Sequence, residues 1–380
     1  MLDDSRPRVG FVLAGTGTGG AERFLLRVIL RLKDDLQPVI FVRGTRRGDL
    51  HDQFVDSGAE VIYLKLGYLD PVGTYRFIRL LQAHHLRSLV DFSGIFAGLT
   101  LWAAKRAGIQ LRIAFHRRSS FGFEPTWLRL LYARISTYLT EQVATHILAN
   151  SQAALDFFHP RLSGNDQRLS VIRNFIDPEE LKPTRTRQEV RDELKIPQDA
   201  FVVLHTGRLD PAKDHPTLLA AVQKVMEQKT NLYCIIAGPG TEAIMGPDYS
   251  IADKFLKRFR VLGNRADVPD LLNVADLFVF PSVTEGQPNS LLEAIMANLP
   301  VVTTDIAAIR ENIPEKGLRK LVKPGNSTEL SETIFRCLES AHEREGRRYR
   351  SQVQEKIDRE KILSELRAHL VGLDSIVQHR

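Results

Sequence analysis

Two carboxylates, Glu285 and Glu293, stand with seven residues between them in EGQPNSLLEAIMANLPVV, directly after the apolar run ADLFVFPS. A carboxylate accepts two hydroxyl hydrogen bonds readily, so a glutamate at a helix start can hold the vicinal hydroxyls of a ribose. Exposed backbone amides around Ser290, Leu291 and Leu292 would meanwhile face a phosphate. Glu285, on the strand side of the loop, would then lie nearer the group attached to that phosphate. The same residues also have a purely structural reading. Ser290 and Glu293 have the S-x-x-E spacing of a capping box, worth about 1 kcal/mol to a helix. That reading gives Glu285 and the loop after it no role.

A second loop, HTGRLDPAKDHPTLL, carries Arg208 and Lys213 on either side of a turn at Asp210 and Pro211, with Gly207 where a strand would end. Two cations at the mouth of a parallel sheet suit a diphosphate, the guanidinium as a planar fork and the ammonium as a compact charge. The alternative is a solvated basic loop with Asp214 as a local partner. A third loop, GTGTGGAER, places Gly15, Gly17 and Gly20 in G-x-G-x-x-G spacing, the context of a dinucleotide fingerprint. The next strand ends at Val42 with Arg43 and offers no acid for a ribose. NAD is therefore disfavoured, and an NADP-dependent oxidoreductase stays as an alternative.

These loops need rigid elements behind them. RVGFVLAG, QPVIFVRG, AEVIYLKL, RSLVDFSG, LRIAFHRR and THILANS read as strands, with helical patterns such as AERFLLRVILRLKDD between several of them. FVVLHTGRL, NLYCIIAGPG, RFRVLGN, ADLFVFPS, LPVVTTD and RKLVKPG form a second series. Strands alternating with helices imply parallel sheets, and ligands of such sheets gather beyond the strands' carboxyl ends. The expected architecture is α/β, with two doubly wound Rossmann-like domains facing a cleft. The expected domains are 1–175 and 191–358, joined by a polar, proline-punctuated linker, 176–190, and followed by a C-terminal helical segment, 359–380.

Composition excludes several classes. The 380 residues, 43% hydrophobic, can bury two cores, and no apolar run approaches the roughly 18 residues of a membrane span. The two cysteines, Cys234 and Cys337, sit far apart in apolar settings, so neither disulfides nor a thiolate metal site are expected. Acids in MLDDSRPRVGFVLAG and a short apolar run argue against a secretory leader and for a cytoplasmic protein. A net charge of +6 permits anionic partners without demanding nucleic acid.

Together, the E-x7-E element, GRLDPAK, GGAE and the strand-end His116 in LRIAFHRR resemble glycosyltransferase family 4, retaining enzymes of GT-B architecture. The resemblance spans nearly the whole chain. It implies that Glu293 binds the donor ribose and Glu285 contacts the donor sugar, while Arg208, Lys213 and the adjacent Gly207 meet the diphosphate. Ser290 and Leu291 would offer amides, and the base would lie against Gly263, Asn264 and Arg265. It also implies that His116 lies close to the transferred sugar, that Gly19 and Gly20 meet donor phosphate or acceptor, and that the last helix crosses back to the first domain. GPGTEAIM departs from the family's GDGP-like turn, so no role is carried over there.

The implied donor is a UDP- or GDP-sugar, the acceptor a glycan or lipid-linked molecule, and no separate cofactor is expected. The absence of any D-x-D sequence favours Arg208 and Lys213 over a metal at the leaving group. A basic stretch, with Lys105, Arg106, Arg112, Arg117, Arg118, Arg129 and Arg134 among Trp127, Leu128, Leu130, Leu131 and Tyr132, reads either as a solvated face or as peripheral contact with an anionic membrane. A non-catalytic nucleotide-sugar-binding protein of the same architecture is the remaining alternative.

Overall fold

A computed structural model describes residues 6–67, 70–121, 126–162, 164, 166–313, 321–339 and 346–372. The chain forms two compact units, Met1–Asn174 with Arg359–Arg380, and Phe175–Asp358.

The first unit is a parallel sheet of β1 (Arg8–Leu13), β2 (Gln37–Val42), β3 (Glu60–Tyr63), β4 (Ser88–Asp91), β5 (Leu111–His116), β6 (His146–Ala149) and β7 (Leu169–Val171), in the order β3-β2-β1-β4-β5-β6-β7. Parallel strands need crossovers, and helices such as Gly20–Leu32 and Ala97–Arg106 supply them. With both faces covered, the middles of the central strands are apolar: Phe11, Val12, Val90 and Phe115 are at most 1% exposed. The strand order reverses between β1 and β4, so the loops after these two strands flank the switch point where open α/β sheets bind ligands.

The helix Arg359–Val371 belongs to this unit, as the expected crossing back requires. It buries Ile362, Leu363, Leu366 and Leu370. Arg367 Nε pairs with Asp35 at 2.8 Å, and Arg87 Nε donates to Val371 O at 3.2 Å.

In the second unit β8 (Phe201–Thr206), β9 (Leu232–Ala237), β10 (Phe259–Val261), β11 (Leu277–Phe280), β12 (Val301–Thr304) and β13 (Leu321–Val322) form a parallel sheet in the order β10-β9-β8-β11-β12-β13. Val203, Leu277 and Val279 pack against Leu218, Val222 and Ile334 from the flanking helices. Here the order reverses between β8 and β11, which places GRLDPAK and EGQPNSLLE on the two sides of one switch point.

Residues 176–190, which read as a linker, are folded into the second unit. Thr186 and Glu189 close a capping box on the helix Arg187–Glu193. Arg185 pairs with Glu193, Asp267 and Asp270, and the fully buried Arg191 donates to the carbonyls of Pro197, Gln198, Ala200 and Val274.

Candidate active site

At the second switch point the two loops are pinned to each other. Asp210 Oδ1 accepts from Ala212 N–H and starts the turn Pro211–Lys213, and Val283 N–H donates to Ala212 O at 2.9 Å. Lys213 Nζ reaches Glu285 Oε1 at 2.6 Å, with the two side chains 16% and 13% exposed, and sits 4.6 Å from the Phe280 ring centroid. The expected diphosphate cation and the expected sugar carboxylate are thus one ion pair. An ammonium has three hydrogens, so Lys213 can hold Glu285 and a phosphate oxygen together. Arg208 is 49% exposed and, among the described residues, pairs with Asp210 at 3.2 Å, a weak tether that costs little to break.

Gly238, not Gly207, is the glycine that close approach requires here. Gly238, with φ +148°, has no room for a Cβ, which would lie 2.1 Å from Gly207 O. Gly207 N–H donates to Ala237 O and Leu209 N–H to Pro239 O, both at 2.9 Å, so the loops after β8 and β9 lie backbone on backbone. GPGTEAIM, left without a role on sequence grounds, therefore buttresses the cation loop.

The helix behind the carboxylates runs Asn289–Met296, with Pro288 at the N-cap and no side-chain cap. The expected Ser290–Glu293 capping box is absent, because the helix begins one residue before Ser290. Glu293 is the fifth helical residue and half-buried, and Ser290 and Leu291 contribute first-turn amides. Gln287 Nε2 donates to Asn312 Oδ1 at 2.8 Å in the interior and fixes the loop just before the helix.

At the third expected element, Asn264 is exposed after β10. The Arg265 guanidinium is bound by Asp267 at 2.7 and 2.6 Å and Glu193 at 3.2 Å, and these carboxylates raise its pKa. Its side chain is therefore committed to the Arg185 network, leaving the Gly263–Asn264 backbone as the part available to a base.

Two buried histidines underlie the loops. His205 Nδ1 donates to Val279 O at 2.9 Å, and its ring meets that of His215 edge-on at 5.0 Å. Burial, reinforced by the His215 and Lys213 charges, pushes His205 down to about 3, and burial reinforced by Lys213 pushes His215 down to about 4. Both are neutral in the fold and would bind protons near pH 6.5 when unfolded. Their contribution is therefore complete above pH 6.5 and is lost as pH falls toward 4, by up to about 1.4 kcal/mol per pH unit for each ring. Chemical denaturation at pH 7 and 5.5 should show this loss, and His205→Asn should reduce it.

In the first unit Gly19 is the N-cap of the helix starting at Gly20. The loop before them is held by Thr16, 1% exposed, whose Oγ1 accepts from Gly48 N–H at 2.8 Å and is hydrogen bonded to Tyr63 Oη at 3.0 Å. A Cβ on Gly48 would lie 2.6 Å from the Thr16 carbonyl, so the second loop lies flat against the first.

His116 ends β5, buried, its ring stacked on Phe158. Its neighbour Arg117 is turned inward, in contrast to the solvated or membrane face expected of it. The guanidinium lies 4.0 Å over the Phe24 ring and donates to Gly20 O at 3.4 Å. Burial pushes its pKa down, against the Glu22 carboxylate, which raises it. Arg112 is also absent from that face, since it donates to the carbonyls of Ile109, Gln110 and Val143. Lys105, Arg106, Arg118, Arg129 and Arg134 are exposed.

The two doubly wound, Rossmann-like sheets are those of the GT-B architecture. Residues 18–180 match the family described as Glycosyltransferase Family 4, and residues 200–340 match that described as Glycosyl transferases group 1. The chain belongs to glycosyltransferase family 4, and it is a glycosyltransferase.

It is 25% identical over 350 residues to EpsF of Bacillus subtilis, which is named as a glycosyltransferase, spanning 88% of this chain and 89% of EpsF. It is 26% identical over 211 residues to the UDP-Gal:alpha-D-GlcNAc-diphosphoundecaprenol alpha-1,3-galactosyltransferase of Escherichia coli, 54% of each chain. HepE of Anabaena, solved with UDP and glucose, superimposes with a TM-score of 0.81 at 20% identity, covering 97% of this chain and all of HepE.

Proposed function

We propose that this glycosyltransferase moves a sugar from a UDP- or GDP-sugar to a glycan or lipid-linked acceptor in cell-surface polysaccharide synthesis, with retention of configuration and without a metal. The observation that carries this reading is the Lys213–Glu285 pair on two switch-point loops pinned to each other, with Glu293 on the helix that follows. Lys213 and Arg208 meet the diphosphate, Glu293 accepts the ribose hydroxyls, and Glu285 lies on the sugar side. The donor class is supported by the UDP bound to HepE, and the acceptor class by the diphosphoundecaprenol in the E. coli relative's name.

In the proposed step the bond from the anomeric carbon to the diphosphate oxygen breaks, and the acceptor oxygen bonds to that carbon on the same face. The acceptor's hydroxyl proton passes to the departing phosphate. Charge grows on the diphosphate as the sugar becomes oxocarbenium-like, so fixed cations there are the main device. The test is to supply an α-linked UDP-sugar with chelator present and read the product's anomeric configuration by NMR. An α-linked product at undiminished rate is expected. A β-linked product overturns retention, and loss of turnover in chelator overturns metal independence.

The acceptor class favours a membrane-facing surface. On the helix Trp127–Val143 the side chains of Trp127 (72% exposed), Leu128, Leu131, Ile135 and Tyr138 share one side, opposite the buried Ala133, Ser136 and Thr140. Among the described residues no helix is long and apolar enough to cross a membrane. The exposed stripe with Arg134, together with the exposed Arg118 that precedes the helix in the chain, instead fits an anionic interface. Exchanging both arginines for glutamine should weaken binding to phosphatidylserine vesicles about 30-fold at low salt, at about 1 kcal/mol per charge. An unaltered protein that ignores such vesicles contradicts the reading.

A further inference from the structure

Three side chains of the first unit make a buried hydrogen-bonded chain that ends on an unused acceptor. Glu141, on the helix Trp127–Val143, has Oε1 2.9 Å from Nδ1 of His159, the residue after the helix Gln152–Phe158. His159 Nε2 is 2.9 Å from His116 Nε2. A carboxylate only accepts, so His159 Nδ1 carries a hydrogen. In a neutral ring His159 Nε2 is then the acceptor, His116 Nε2 must donate to it, and His116 Nδ1 is left with its lone pair.

Neutrality follows from burial. His116 is 2% exposed and His159 0%, and burial pushes both below the ordinary histidine range, with Glu141 opposing the shift at His159. His116 Nδ1 is itself buried and without a hydrogen-bond partner among the described residues. Buried acceptors are rarely left so, which makes this atom the end of the chain that calls for a donor. It lies 4.0 Å from where a Cβ on Gly94 would stand. Gly94 opens the turn Gly94–Phe96 after β4, so the lone pair sits at the carboxyl ends of β4 and β5, where ligands of this sheet type collect. Stacking on Phe158, with ring centroids 4.6 Å apart, holds the plane of the ring.

We propose that Glu141 and His159 are positioning residues that lock His116 in its Nε2–H tautomer, so that Nδ1 accepts a hydrogen bond from a hydroxyl of the transferred sugar. The proposal rests on the glycosyltransferase reading above. The opposite arrangement, His159 protonated on both nitrogens, would force hydrogen onto His116 Nδ1 and abolish the acceptor.

Long-range proton–nitrogen correlation on the full chain, isotope-labelled at its histidine nitrogens, reads each tautomer directly. Hydrogen on His116 Nε2 and His159 Nδ1 at neutral pH is expected, and hydrogen on His116 Nδ1 overturns the proposal. UDP-glucose should then shift the His116 Nδ1 resonance while UDP alone does not. No shift with UDP-glucose bound overturns the sugar contact.

His159→Gln retains an acceptor and should keep kcat/KM within a few-fold. His159→Leu should lower kcat/KM about 10-fold with UDP affinity unchanged. Equal activity of the two variants overturns the positioning role. If the unaltered protein bound no nucleotide at all, the glycosyltransferase reading would fall and take the sugar contact with it, whereas the tautomers stand or fall on the spectra alone.

Discussion

Lys213→Ala should lower turnover by about 10²–10³-fold, because in the proposed step it removes a fixed cation from the oxygen on which charge grows as the donor bond breaks. The same change leaves Glu285, 13% exposed, without that cation, and costs on the order of 2 kcal/mol of stability. A loss of activity in the single variant could therefore be mere unfolding. The double variant Lys213→Met, Glu285→Gln separates the two effects. It removes both charges while keeping most of the volume beside Phe280, so thermal stability should return and turnover should not. A double variant that regained turnover along with stability would reduce the pair to a structural ion bridge. Arg208→Ala removes an exposed side chain paired with Asp210 and should lose turnover on the same scale with the melting temperature unchanged.

Glu293→Gln weakens nucleoside diphosphate binding by roughly 10- to 150-fold, the equivalent of about 1.5–3 kcal/mol for a charge-assisted hydrogen bond to ribose. The fold should survive, since Glu293 lies in the second turn of a helix capped at Pro288 and glutamine keeps the shape and an acceptor oxygen of the side chain. Glu285→Gln should differ, losing turnover with a smaller loss of free-nucleotide affinity, because Glu285 stands at the Lys213 end of the loop.

How much of this was legible depends on sequence distance. Twelve of the strands announce themselves as short apolar runs ended by Gly, Pro or polar residues. β7 does not, because Leu-Ser-Val at a sheet edge is too short and too half-buried to stand out. The loops after β8 and β11 were legible as sites because their unusual residues have no use in a helix or strand. The capping box was misleading. The S-x-x-E spacing is real, but the helix start is set by Pro288 and by the Gln287–Asn312 bridge, 25 residues away in the chain.

Pairings across long separations left no local trace. Lys213 and Glu285 are 72 residues apart, and His116 and His159 are 43 apart. Arg117 reads like its basic neighbours, and the Phe24 ring 4.0 Å beneath it shows that its guanidinium turns inward. The fold of 176–190 onto the second unit depends on Asp267, Asp270 and Asp276, all of them far along the chain.

The central claim is that Glu293 on the second switch point holds the ribose of the donor nucleotide. Calorimetric titration of UDP and of GDP into the unaltered protein and into Glu293→Gln tests it most directly. One of the two nucleotides should bind the unaltered protein and bind the variant roughly 10- to 150-fold more weakly, with the variant's melting temperature preserved. Equal affinity of both proteins for that nucleotide would contradict it.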